Sequence, residues 1–363
     1  MRVRPSVAPM TERLAVDPAS PDASPHAQVI ARAAACLRRG GLVAFPTETV
    51  YGLGVHALDT AAVSRLFAAK GRPASDPLIV HVSTLHDVRP LVANLPAVAE
   101  TLAKQFWPGP LTLVFEKSHA IPGEVTAGGP TVAIRVPAHP VARALLWAAS
   151  IPIAAPSANL FSRPSPTRAE HVLEDLDGRI DMVIDGGPAT VGVESTVLDL
   201  TTGTPTILRP GAVTLEMLQS ALGEVVVARG RDLDAKFRGH SPGLLEKHYS
   251  PRAPLTLYEG RWEVTVERIV ADARAARAHG QRVGVLLVGS AVPDSESADT
   301  RVITIGAHGD IARAAARLYS ALRQLDASEA DVILAQGIPE QGGLATALRD
   351  RLHRAAAGRI VHA

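Results

Sequence analysis

The chain has 363 residues, more than one hydrophobic core usually supports, so two domains are expected. Hydrophobic residues make up 47% and charged residues 20% of the chain, which excludes a disordered or collagen-like protein. Lys and Arg number 37 against 36 Asp and Glu, and this net charge of +1 argues against a surface built to coat RNA.

The single cysteine, Cys36, excludes an internal disulfide, a cysteine zinc site and a CxxC redox pair. No stretch approaches the ~18 apolar residues of a membrane span, and no apolar signal-peptide core is present near the N-terminus. We therefore expect a cytoplasmic protein that does not enter a membrane.

Residues 1–26 leave two interpretations open: a loose, proline-containing tail, or a tail that holds a short strand at 13–16. From residue 27 to 223 the pattern predicts a strand-rich α/β domain. It begins with a helix that ends at Gly40-Gly41, and a second helix begins at Asp59 or Thr60. Further helices are predicted near 84–93, 96–106, 139–149, 167–176 and 214–222. Strands are predicted at 42–45, 78–82, 111–116, 131–136, 151–155, 182–185, 195–200 and 206–208.

Residues 224–254 are rich in turn-forming residues, such as Ser241-Pro242-Gly243, and predict a long linker. Beyond it, strands at 255–258, 282–288, 302–305 and 332–337 alternate with helices at 263–279, 310–325 and 341–357. This alternation predicts that residues 255–363 form a small, doubly wound domain with a mostly parallel sheet.

Several familiar motifs are missing from the chain. There is no GxxxxGK[ST] phosphate loop, no kinase HRD or DFG segment, and no HExxH or close histidine cluster. The stretch from Gly284 to Gly289 lacks GxGxxG spacing and is interpreted as a turn at the end of a strand. We therefore predict no metal site formed by protein residues.

Six segments combine turn residues with hydroxyls or cations, and each alone also fits an ordinary turn or a solvated loop. They are residues 46–54, 70–76, 131–136, 155–167, 192–196 and 207–211. Lys70 and Arg72 offer a point charge and a planar fork that suit phosphate oxygens. Strand alternation puts Thr131 and Arg135 on one face, where the guanidinium needs an anion or solvent. The segment 46–54 is interpreted as a loop whose glycines permit close approach to a ligand.

Taken together, these segments resemble the threonylcarbamoyl-AMP synthase family, the YrdC-like proteins. PTETVYGLG, KGRP, PLIVHV, WPGPLT, TVAIRVPAHP, APSANLFSRPSPT, DGG, GVEST and LRPG occur in family order within 27–223. The linker adds SPG and KHYSP, as in the longer, two-domain form. The resemblance implies a YrdC-like twisted open sheet with helices, a linker at 224–254 that acts as a lid, and a Rossmann-like C-terminal domain.

The resemblance also implies an activity. L-threonine, bicarbonate and ATP, the last with Mg²⁺, would give threonylcarbamoyl-AMP and pyrophosphate. The product would serve the threonylcarbamoyladenosine modification at position 37 of ANN-decoding tRNAs through a downstream tRNA threonylcarbamoyl transferase. Direct binding of tRNA is left open.

The family's functional residues carry over to matching positions of this chain. By resemblance, L-threonine is held by Thr49, His81, Arg135, the backbone of Ala155 and Ser195. ATP is contacted by Arg72, Asp76, Thr131, Ser157, Ser165 and Arg209, and the catalytic signature is Lys70, Arg72, Ser157 and Asn159. Two positions carry a second interpretation. Asp76 stands where relatives often have Asn and would repel a polyphosphate, and His81 also fits a core histidine.

Three other functions remain as alternatives. A double-stranded RNA-binding module fits a concave basic sheet but not the charge balance. The carbamoyltransferase of hydrogenase maturation shares the YrdC-like domain, but its zinc fingers need more cysteines than this chain has. The C-terminal domain could also be a separate nucleotide-binding enzyme.

Overall fold

The computed structural model describes residues 10–228, 248–289, 300–307, 309–339 and 341–363, which form two α/β domains. An eleven-stranded sheet is the centre of the first domain, and a five-stranded sheet is the centre of the second. Among the residues described, no helix combines the length and apolar composition that crossing a membrane requires.

The first domain contains strands β1 to β11 and helices α1 to α6. The strands are Glu12–Ala15, Val43–Phe45, Gly52–His56, Ile79–His81, Leu111–Glu116, Thr131–Arg135, Ile153–Ala154, Met182–Asp185, Thr196–Asp199, Thr206–Arg209 and Val226–Val227. The helices are His26–Arg38, Thr60–Lys70, Ala97–Phe106, Pro140–Ala149, Ala169–Leu176 and Leu215–Leu222. The strand order is β1-β8-β2-β3-β7-β4-β6-β5-β9-β10-β11, with parallel and antiparallel pairs mixed.

The first domain extends at both ends past the predicted range of 27–223. Residues 12–15, for which a tail and a strand were both open, form β1 and pair in parallel with β8. Residues 226–227, placed in the predicted linker, form the edge strand β11 beside β10. The predicted helix at 84–93 is only a 3-10 helix over His86–Leu91, which contains Pro90.

The interpretation of residues 46–54 as a loop throughout is wrong. Gly52–His56 form strand β3, which pairs antiparallel with β2. A Cβ atom on Gly54 would lie 2.8 Å from the Phe45 ring and 2.9 Å from the Ile153 side chain. Gly54 is therefore needed for close packing within the sheet and not for approach to a ligand.

The second domain confirms the predicted doubly wound sheet. Its strands β12 to β16 are Leu255–Glu259, Val283–Gly289, Thr300–Ala307, Val332–Gln336 and Ile360–His362, and its helices α7 to α9 are Trp262–Ala278, Ile311–Ala327 and Gly343–Ala356. The order is β14-β13-β15-β12-β16, and every pair is parallel. Strand β16 was not predicted, because its three residues follow a helix without a clear strand pattern.

The two domains share a core. Val50 and Val193 of the first domain belong to the apolar cluster built mainly by α8 and α9. A Cβ on Gly192 would lie 2.4 Å from the Cα of Ala316 in α8, so only glycine permits this approach. The predicted SPG motif and Lys247 lie outside the described residues, whereas His248 to Pro254 lead into β12.

Candidate active site

Loops from the first domain converge on one cavity. Eight of the residues predicted from the resemblance line it: Thr49, Arg72, His81, Arg135, Ala155, Ser157, Ser195 and Arg209. Segments that are up to 160 residues apart in sequence therefore meet at one place. Loops that follow the ends of strands in one sheet can converge in this way. His248 and Tyr249 from the segment before β12 complete the wall.

Lys70 and Asn159 lie behind this wall. The Lys70 ammonium is fully buried and donates to the backbone carbonyls of Ser157, at 2.5 Å, and of Asn159. Asn159 in turn donates to the carbonyls of Leu160 and Arg163. Burial, with the nearby Arg72 charge, holds the pKa of Lys70 well below its usual range. In this structure the pair shapes the loop that presents Ser157.

Arg72 is held by Asp76, a residue for which the sequence left two interpretations open. Its Nη2 lies 2.9 Å from an Asp76 carboxylate oxygen, and its Nε and Nη2 donate to the carbonyls of Asp76 and Pro77. Both side chains are almost completely buried. Burial lowers the pKa of Arg72 and the Asp76 charge opposes this effect. The Asp76 carboxylate is thus turned to a guanidinium, which removes the expected conflict with a polyphosphate.

Arg135 projects from β6 and is fixed by three hydrogen bonds. Nε donates to the Gly109 carbonyl at 3.1 Å, Nη1 to the Thr49 hydroxyl at 2.9 Å, and Nη2 to Glu48 Oε1 at 2.5 Å. The other Glu48 oxygen accepts from the backbone N–H of Ala138 at 3.0 Å. Arg135 and Thr49 were predicted from the sequence, whereas Glu48 was not, although it lies inside the quoted PTETVYGLG motif.

His81 ends strand β4 and is 4% exposed. Burial, reinforced by the Arg135 charge, lowers the pKa of its imidazole to about 3, so the ring is neutral near pH 7. Its Nδ1 has no hydrogen-bond partner in the structure, and the residue lines the cavity. A core histidine is normally satisfied, so this free ring nitrogen favours a ligand-binding role.

Ser195 and Arg209 form one unit. Arg209 donates to the Ser195 carbonyl and to its hydroxyl, both at 3.1 Å, and Thr112 shares a 2.7 Å hydrogen bond with the same hydroxyl. The pairing of β10 with β9 shifts register between Ile207 and Arg209, and such an irregularity re-aims a side chain. Burial lowers the pKa of Arg209.

The remaining predicted residues are buried beside the cavity. Ser165 donates to Glu194 Oε1 at 2.6 Å, and the Thr131 hydroxyl on β6 has no partner. Burial alone would raise the pKa of Glu194, but the charges of Arg351 and Arg209 hold it below its usual value. Glu194 lies within the quoted GVEST motif and was also missed. Its second-domain partners lie too far along the chain for any local pattern to reveal.

Two linker residues reach the cavity. The His248 and Tyr249 rings are in edge contact at 4.0 Å, and Tyr249 is 1% exposed. Burial, together with the charges of Arg72 and Lys70, holds the pKa of His248 well below its usual range. The KHYSP motif was quoted as part of a lid, but neither residue was named as part of the site.

The chain is similar to known proteins along both domains. Residues 35–211 match the Sua5/YciO/YrdC family profile, described as "Telomere recombination", and residues 213–357 match "Threonylcarbamoyl-AMP synthase, C-terminal domain". The threonylcarbamoyl-AMP synthases of Bacillus subtilis and Pyrococcus abyssi are 46% and 44% identical to this chain, over 92% and 91% of it and 94% of each relative.

A solved structure is similar along the whole length. The crystal structure of P. abyssi Sua5 complexed with L-threonine superposes with a TM-score of 0.88 at 41% identity, over 97% of this chain and 100% of that one. With two family profiles in succession and relatives aligned over both domains, the chain belongs to the threonylcarbamoyl-AMP synthase family in its two-domain form.

Proposed function

We propose that this chain condenses L-threonine, bicarbonate and ATP into threonylcarbamoyl-AMP and pyrophosphate. One observation carries the proposal: three buried guanidinium groups, those of Arg72, Arg135 and Arg209, line a single cavity. Such a cavity suits two anionic reactants that must be held together while negative charge builds up between them. The P. abyssi relative of the same family was solved with L-threonine.

L-threonine occupies the part of the cavity that we call the threonine half: Thr49, His81, Arg135, Ala155 and Ser195. Three of the five N–H groups of Arg135 bind protein oxygens, which leaves two for a carboxylate. The neutral His81 ring supplies its free Nδ1 to a polar group of the substrate. The Ala155 backbone and Ser195 provide further polar atoms at the wall.

ATP occupies the nucleotide half, which comprises Arg72, Asp76, Thr131, Ser157, Ser165 and Arg209. Arg72, Ser157 and Arg209 line the cavity, and this position supports their contact with phosphates or ribose. Asp76 acts through Arg72, because its carboxylate is paired with that guanidinium. Lys70 and Asn159 act through Ser157, whose loop they hold.

The reaction has two steps. The threonine amine forms a bond to the bicarbonate carbon, and loss of water leaves a carbamate. A carbamate oxygen then bonds to the α-phosphorus of ATP while the bond to the β-phosphate oxygen breaks and pyrophosphate leaves with that electron pair. The guanidinium groups stabilise the charge in this crowded transition state. No covalent nucleophile is needed, and Cys36 is buried in α1 away from the cavity residues.

Mg²⁺ is expected to bind as a partner of ATP and not to protein side chains. Within the described ranges there is no group of three metal-ligating side chains, and Glu48, Asp76 and Glu194 each face a guanidinium. Mg²⁺ would instead reach the cavity with ATP, held by phosphate oxygens and water. None of the roles assigned to the side chains depends on a protein-bound metal.

Most of the predicted lid, residues 229–247 of the segment 224–254, lies outside the described residues, so the proposal of a lid over bound reactants rests on its described end at 248–254. His248 and Tyr249 from its described end form part of the cavity wall, and this contact supports the idea. Deleting 224–363 removes the wall and should impair turnover or retention of the reactants. Full activity of that truncated chain would contradict a lid.

The product is a mixed anhydride of adenylate, which a tRNA threonylcarbamoyl transferase in the cytoplasm would consume to modify position 37. The rival double-stranded RNA-binding function is not favoured, because the guanidinium groups that carry the site are buried and not displayed on a face. A filter-binding salt series that gave tight RNA binding would support that rival.

Measuring pyrophosphate release while each substrate is omitted tests the proposed reaction. We expect release only when threonine, bicarbonate and ATP are all present. Release from ATP alone, or release that does not depend on bicarbonate, would overturn the proposal.

A further inference from the structure

Glu194 is a first-domain carboxylate whose two oxygens bind different domains. Oε1 accepts from the Ser165 hydroxyl of the first domain at 2.6 Å. Oε2 accepts from the Tyr319 hydroxyl on α8 at 2.9 Å and from Nε of Arg351 on α9 at 2.7 Å. Glu194 lines the cavity and is 6% exposed, so this junction between domains lies in the wall of the site.

Arg351 holds two more parts of the same wall. Its Nη2 donates to the Pro210 carbonyl at 3.1 Å, directly after Arg209 in the chain. Its guanidinium carbon lies 5.3 Å from the centre of the Tyr249 ring, within reach of a cation–π interaction. The Arg351 side chain is fully buried. One guanidinium therefore contacts the GVEST segment, the LRPG segment and the end of the linker.

The loss of any one charged group at this junction is expected to be costly, because the groups are buried. A buried ion pair is acceptable when both partners are satisfied, whereas removal of one partner leaves an uncompensated buried charge and is strongly destabilising. Asp350 also pairs with Arg351, so Glu194 and Asp350 together balance charge around this guanidinium. Tyr249 and Tyr319 pack with ring centres 5.5 Å apart and exclude water from it.

We propose that Arg351, assisted by Tyr319, is a positioning residue of the nucleotide half, through which the second domain completes the site for ATP. The inference rests on the proposed function, which assigns Ser165 and Arg209 to ATP. Arg351 orients Ser165 through Glu194 and supports Arg209 through the adjoining Pro210 carbonyl. Arg135 of the threonine half, by contrast, donates its three hydrogen bonds to first-domain oxygens.

The test compares full-length Arg351→Met with wild-type protein. We expect the KM for ATP to rise about tenfold, because Glu194 and the Pro210 carbonyl lose the guanidinium that holds them. The threonine dissociation constant from calorimetry should change less than about twofold. Arg351→Lys should restore part of the ATP affinity, because it keeps a charge beside Glu194 but loses the fork. Arg349→Met on the same helix, which is a half-exposed position away from the cavity, is the matched control.

A double-mutant cycle shows whether Glu194 transmits the effect. If it does, Glu194→Gln combined with Arg351→Met should raise the KM for ATP by clearly less than the product of the two single changes. Independent effects, or equal losses for threonine and ATP, would overturn the inference.

Tyr319→Phe covers the case in which Arg351→Met fails to fold. This variant keeps the ring but removes one hydrogen bond to Glu194, and we expect the KM for ATP to rise about threefold. An unchanged KM would contradict the role of the junction. Wild-type protein that releases no threonine-dependent pyrophosphate would indicate instead that the proposed function itself has failed.

Discussion

The two halves of the cavity are held in different ways. In the threonine half, Arg135 is fixed by Gly109, Thr49 and Glu48, all in the first domain. In the nucleotide half, Ser165 binds Glu194, whose other oxygen is held from α8 and α9 of the second domain. On the proposed assignment of ligands, the amino-acid site is formed within one domain, whereas the ATP site depends on the assembly of two.

Arg135→Ala gives the largest expected effect, because it removes the only guanidinium of the threonine half. We expect threonine-dependent pyrophosphate release to fall at least about a hundredfold, since a bidentate charged contact is lost and Glu48 is left unpaired. Arg143→Ala at an exposed position on α4 serves as the control. Threonine dependence that survives Arg135→Ala would show that this residue is assigned wrongly.

Glu48→Gln sharpens the comparison within the threonine half. The amide keeps the shape of the side chain but removes the charge that orients Arg135, so we expect the KM for threonine to rise about tenfold. The KM for ATP should change much less. Glu116→Gln on the exposed end of β5 is the matched control, and a larger effect on ATP than on threonine would refute the assignment.

Asp76→Asn separates two roles for this carboxylate. Because Asp76 pairs with Arg72, the amide should keep one hydrogen bond and raise the KM for ATP only about threefold, with Asp76→Ala worse. If the carboxylate instead faced the polyphosphate, its removal would relieve repulsion and the KM for ATP would fall. Steady-state kinetics at fixed threonine distinguishes the two outcomes.

The smallest expected effect is on how the stability of the folded protein depends on pH. Burial lowers the pKa of His81 from 6.5 to about 3, so the folded protein binds fewer protons than the unfolded chain between these values. His81 therefore makes the protein lose stability as pH falls from about 6.5 towards 3. Denaturant titrations should show a weaker loss over this window for His81→Asn, although His171, whose pKa is lowered to about 4, still contributes. An unchanged pH slope would contradict a neutral, buried His81.

Much of the fold could be predicted from local pattern. Strands at 111–116 and 182–185 match because their apolar runs are bounded by turn residues. Strand β3 could not be recognised, because two glycines within five residues usually indicate a turn, and it is the nearby Phe45 and Ile153 side chains that explain Gly54.

Several arginines of the site could be predicted from the sequence but the carboxylates Glu48 and Glu194 could not, and the reason is physical. A cation in a strand or loop demands an anion, so Arg135 and Arg72 stand out in the sequence. Their protein partners are harder to find, because Glu48 and Glu194 lie 87 and 157 residues from the arginines they bind. Such pairings are set by tertiary structure alone.

A crystal structure with L-threonine and a non-hydrolysable ATP analogue tests the central claim most directly. We expect the threonine carboxylate on Arg135 and, in the same cavity, the α-phosphate between the threonine amine and the Arg72 and Arg209 guanidinium groups. A nucleotide bound on the second domain alone, or two ligands in separate cavities, would contradict that claim.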